Sequence, residues 1–159
     1  MPTVSEAIGS QIIYVLPGNL QPYQTQCRRL LATHSVITWI REEIPNATTD
    51  GFTIGALSPK DQLLILFNEF VSGQDIGWPF PHAMRPESDG IYRFRTDDVR
   101  LNGWFPEQGC FVIGSVDFKS NCISDPARDD TLRDEAIAER ETLQINDGAF
   151  LLGDYNENL

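Results

Sequence analysis

Between residues 91 and 118 the hydrophobic pattern changes from strict alternation to a nearly unbroken apolar run. In residues 91–96, Tyr92 and Phe94 fall on one side and Arg93 and Arg95 on the other, because successive strand side chains face opposite ways. In residues 99–105, Arg100 and Asn102 share a face opposite Val99 and Leu101. Pro106, Glu107, Gln108 and Gly109 read as a tight hairpin connection. Residues 110–116 are apolar almost throughout, which predicts a central strand covered on both faces. Three consecutive antiparallel strands are therefore expected.

The flanking segments follow other periods. Residues 12–16 predict a strand that ends in the turn Pro17, Gly18, Asn19. Residues 24–43 place Leu30, Leu31, Val36, Ile37 and Ile40 roughly on one face and predict a helix, weakened by the β-branched Thr33, Val36, Ile37 and Thr38. Residues 45–55 form a polar connector. A second helix starts with Ser58 as N-cap, Pro59 in the first turn and Asp61 at the positive helix end. Its stripe is Leu63, Leu66, Phe67 and Phe70, and Gly73 marks the stop. Residues 78–81 form a stiff apolar loop. Residues 129–143 predict a charged helix whose inner side is Leu132, Ala136, Ile137, Arg140 and Leu143. In the polar tail after residue 146, Phe150, Leu151 and Leu152 are a candidate anchor. The expected class is α+β: N-terminal helices packed on one face of a small antiparallel sheet, then a C-terminal helix. At 159 residues the chain is expected to be a single domain, with a core over about 10–145 and an acidic helix and tail over 125–159.

Charge changes the picture. The formal net charge is −11, yet Arg93, Arg95, Arg100 and Lys119 gather within one short stretch. Ten acids stand against three arginines in residues 125–159, so most of the acidic surplus lies beyond the strands. An acidic chain disfavours non-specific nucleic-acid binding at long range and leaves room for a local cationic groove. Cys27, Cys110 and Cys122 are odd in number and widely spaced, which points to free thiols rather than a disulfide scaffold or metal site. The N-terminus has no signal-peptide pattern and no apolar run is long enough for a membrane span, so a soluble cytoplasmic protein is expected.

Leu57-Ser58-Pro59-Lys60 opening a helix, then IYRFR, DDVRLNGWF, a hairpin and CFVIGSVDFK resemble the RelE/ParE/HigB toxin superfamily, most of all its HigB-type and phage-associated branch. That branch shows an apolar strand ending in Arg, a second strand beginning with Arg, and a third ending near Lys before a final helix. Here those slots are residues 91–95, Arg100 and Lys119, and the resemblance covers residues 57–143. It implies a RelE-like fold and a toxin of a type II toxin–antitoxin system, neutralised by a small antitoxin protein. It implies an mRNA endonuclease acting at the ribosome without metal or other cofactor, or, in one branch, a gyrase poison.

The chemistry is consistent with those residue types. Attack of a ribose 2′-OH on the neighbouring phosphate builds charge on the phosphate oxygens, and a planar guanidinium fork meets that charge bidentately. Arg93, Arg95, Arg100 and Lys119 are the candidate catalytic set; Arg85, His82 and Trp104 are candidate RNA contacts. Of the two histidines, His34 and His82, the second lies in the loop leading to the strands. Two plainer readings stand beside this one. The arginines can form a solvated strand face with ion pairs to Asp89, Asp97 and Asp98, and Trp104 can be a core residue. On a functional level, the rival is a non-enzymatic acidic interaction protein that binds a host or phage protein.

Overall fold

The computed structural model describes residues 1–77 and 80–159. The apolar loop expected at 78–81 therefore lies partly outside the described residues. The chain runs α1 (Val4–Gly9), β1 (Ile13–Val15), β2 (Arg29–Thr33), α2 (His34–Glu43), α3 (Pro59–Val71), β3 (His82–Ala83), β4 (Tyr92–Arg95), β5 (Val99–Glu107), β6 (Cys110–Phe118), α4 (Lys119–Ser124) and α5 (Arg128–Leu143). The class is α+β. The six strands form one sheet in the order β1-β2-β6-β5-β4-β3.

Three expectations are corrected. The segment 24–43 is not one helix: Arg29–Thr33 is a strand and the helix starts at His34. Leu30, Leu31 and Ala32 are fully buried between β1 and β6, and their neighbours in the sheet outweigh a spacing that also fits a helix. The sheet is mixed rather than antiparallel, because β2 runs parallel to β6, with Leu30 beside Phe111 and Ala32 beside Ile113. The helices also cover both faces. On one, α2 and α3 bury Val36, Leu63, Phe67 and Phe70 against Leu30, Phe94, Leu101, Phe105, Phe111 and Ile113. On the other, Val4 and Ala7 of α1 and Ala136 of α5 pack with Ile13, Leu31, Trp104 and Val112.

The three-strand meander stands as expected. β4, β5 and β6 pair antiparallel, and β6 lies inside the sheet with Phe111 and Ile113 facing one cluster and Val112 the other. The hairpin turn is tighter than the sequence implied: Pro106 and Glu107 continue β5, and Glu107 faces Cys110 across Gln108 and Gly109. Ser58 caps α3, its Oγ accepting from the Asp61 N–H at 3.2 Å. The tail is held at several points. Phe150 stacks on the Arg140 guanidinium at 3.7 Å, the Leu151 N–H donates to the Phe105 carbonyl, and the Tyr92 hydroxyl donates to the Gly153 carbonyl at 2.6 Å. Leu152, in contrast, is exposed. Among the described residues no helix is long and apolar enough to cross a membrane.

Candidate functional site: a cationic pocket on the meander strands

The pocket is assembled by strand register. His82 of β3 pairs with Arg93 of β4, Arg93 with Asn102 of β5, and Arg95 with Arg100. Tyr92 and Phe94 face the α3 core, so Arg93 and Arg95 face the other side. Beyond β6 the chain turns directly into α4. The Asp117 carboxylate accepts from the Phe118 N–H, from Asn121 Nδ2 and from Arg128 Nε, all at 2.7 Å. This junction brings Lys119 and Cys122 of α4 and Asp129 of α5 over β4 and β5. His82, Arg93, Arg95, Arg100, Lys119, Cys122, Ile123 and Asp129 line one pocket of about 220 Å³. The four candidate catalytic residues and His82, drawn from four elements, thus converge.

Their partners differ. Arg93 is 6% exposed; its Nε donates to Asn102 Oδ1 and its Nη1 to Asp129 Oδ1, both at 2.9 Å. Lys119 Nζ lies 2.8 Å from Asp50 Oδ2 and 5.1 Å from the centre of the Phe52 ring. Arg100 Nη1 donates to the carbonyls of Thr96 and Val99, which satisfy hydrogen bonding without cancelling charge. Among the described residues neither Arg95 nor Arg100 has a carboxylate within 4.0 Å. Among the described residues, Arg95 Nε and Arg93 Nη2 are buried donors with no hydrogen-bond partner. Two like charges directly opposite on neighbouring strands repel, and buried unmet donors cost folding energy. The ion pairs expected with Asp89, Asp97 and Asp98 do not form. The Asp98 carboxylate instead accepts from Gln62 Nε2 and from the Asp50 N–H.

Electrostatics follow the crowding. Burial, then Arg93 and Arg95, lowers the Arg100 pKa. Burial and the Arg95 charge hold the His82 imidazole below its ordinary value of 6.5, so at neutral pH it is an uncharged proton acceptor. An unfolded chain therefore takes up the His82 proton before the folded one does. The resulting stability is present above about pH 6.5 and is lost as pH falls through the lowered folded value. Between pH 7.5 and pH 5 the wild type should lose more melting temperature than His82→Gln; parallel losses would show that His82 is not held neutral. Burial pushes the Cys122 thiol up to about 11, which keeps it protonated and a poor nucleophile.

Two sequence-derived contacts are corrected. Trp104 is 1% exposed inside the α5-side core, with Nε1 unpartnered, so it offers no stacking surface to RNA. Arg85 is exposed and does not line the pocket; its carbonyl accepts from Arg133 at 2.8 Å. Asp129 and Asp50, the partners of Arg93 and Lys119, carry no residue-level signal of these pairings in the sequence. Both come from segments that read as ordinary solvated acid, with no local pattern pointing to a distant arginine or lysine. Comparison with protein-family models, curated proteins and solved structures finds no match.

Proposed function

We propose that the pocket binds a phosphate group of RNA and that the chain is a RelE/HigB-like toxin, a metal-independent mRNA endonuclease acting at the ribosome and held by a small antitoxin. The observation that carries this reading is the pair Arg95 and Arg100, opposite one another and, among the described residues, with no carboxylate within 4.0 Å, in a pocket shared with Arg93, Lys119 and His82. A protein that keeps guanidinium groups in mutual repulsion, with donors unmet, is arranged for an anion supplied from outside. The chain order of α3, the β4–β6 meander, Lys119 and α5 supports the same reading.

In this reading the arginines bind the charge that grows on the phosphate oxygens. The 2′-oxygen bonds to phosphorus as the bond to the 5′-oxygen breaks. Neutral His82 takes the 2′-OH proton, and the departing 5′-oxygen takes a proton from water. The products are a 2′,3′-cyclic phosphate and a new 5′-OH end. Expression in bacteria followed by mapping of mRNA ends is the test: growth arrest with new 5′-OH ends is expected. Folded protein with neither arrest nor new ends would sink the reading.

A second reading rests on a specific observation. Arg93 and Lys119 are already neutralised by Asp129 and Asp50 in a chain of net charge −11. That balance suits a non-enzymatic module that binds a host or phage protein. Capture from lysate separates the two, since ribosomes on the bait favour the endonuclease.

A further inference from the structure

Both carboxylates that meet the pocket's cations come from outside the sheet. Asp129 sits in the first turn of α5, and Asp50 in the connector between α2 and α3. In each pair the cation is the more buried member, although Asp50 Oδ1 also accepts from the Phe52 N–H at 2.9 Å. The Arg93 side chain is 7% exposed against 46% for Asp129, and Lys119 is 13% exposed against 31% for Asp50. Arg93 is further pinned by Asn102, and its Nη2 remains unmet even with Asp129 in place. A carboxylate satisfies a guanidinium with the same paired-oxygen geometry as a phosphate, and a phosphate placed beside it is repelled.

We propose that Asp129 and Asp50 are built-in counter-anions of this pocket, holding Arg93 and Lys119 until an incoming phosphate displaces them. The proposal rests on the pocket being a phosphate site. Arg95 and Arg100 give the anion its first hold, and Arg93 and Lys119 join as the carboxylates swing out. Binding is thereby weakened for a lone phosphate and favoured for a strand that also contacts α4 and the start of α5. The internal acids act as a threshold on what the pocket accepts.

The probe is a short fluorescent single-stranded RNA with 2′-O-methyl riboses, which cannot be cleaved. It is titrated at several salt concentrations against wild type, Asp129→Asn, Asp50→Asn, the double variant and Asp130→Asn. Asparagine keeps an acceptor oxygen for the same donors, and melting curves confirm folding. Asp130 neighbours Asp129 in sequence but pairs with Arg133, so its variant carries the same change in net charge away from the pocket. Asp129→Asn and Asp50→Asn should each tighten binding by about three- to tenfold. The double variant should steepen the salt dependence by about 0.7 per freed cation, whereas Asp130→Asn should change little. Equal tightening by Asp130→Asn would reduce the effect to net charge and overturn the proposal. So would wild-type binding that depends on Arg95 but gains nothing in the double variant; the phosphate reading would then survive alone. No binding by wild type or double variant would overturn the phosphate reading itself. Arg95-dependent binding seen only in the double variant would support both.

Discussion

If the chain is the RNA-cleaving toxin proposed above, Arg95→Ala should weaken binding of a short single-stranded RNA by about ten- to a hundredfold and abolish toxicity, with the melting temperature unchanged or higher. The affinity loss follows from removing a charge-assisted contact to phosphate, worth about 1.5–3 kcal/mol. The unusual part is stability. Most arginines that meet a ligand also serve an internal partner, so their removal damages the fold. Arg95 has no carboxylate partner among the described residues, its Nε is buried and unmet, and it faces Arg100 across the β4–β5 ladder. Alanine removes repulsion and an orphaned donor together. Arg100→Ala should lose as much affinity but some stability, because Arg100 Nη1 serves the Thr96 and Val99 carbonyls. Lysine at position 95 should fall between, since it carries the charge without the planar fork. RNA binding and toxicity at wild-type level in Arg95→Ala would remove this residue from the site.

Gly103→Ala should cost on the order of 4 kcal/mol or more, a large part of a typical domain's stability. A Cβ at position 103 would overlap the Val112 carbonyl oxygen and approach the Phe111 ring at 2.9 Å. No rotamer relieves this, because the obstacle is backbone in the central β5–β6 pairing. The register already shifts here: Asn102 faces Ser115 and Gly103 faces Ile113. The irregularity lets β5 approach β6 closely where it delivers Arg100 to the pocket and Asn102 to Arg93. Gly109→Ala is the informative contrast. Its φ is +70°, but nothing lies within 4 Å of an added Cβ. It should cost only about 1–2 kcal/mol, the strain of a left-handed alanine. Urea denaturation of both variants checks the difference, and comparable losses would mean that the close approach at 103 is not what constrains the strand.

Local pattern was enough to read the meander. The alternation of Tyr92 and Phe94 with Arg93 and Arg95 places the arginines on one face, whatever that face meets. The cap and stripe of α3 were equally legible, because Ser58, Pro59 and the leucines act within one or two turns. The segment 29–33 was not. Its three apolar residues fit a helix face or a buried strand equally well, and only the flanking β1 and β6 decide between them.

By itself, then, the sequence determined that Arg93, Arg95 and Arg100 share one face of two paired strands, because strand alternation and a short hairpin act over a few residues. Only the tertiary structure decided what those arginines meet. The parallel β2–β6 pair, the burial of Trp104, the delivery of Lys119 and Asp129 to one pocket and the pairing of Asp50 with Lys119 depend on segments tens of residues apart. Side chains that far apart in the chain are joined by packing and charge rather than by any local preference.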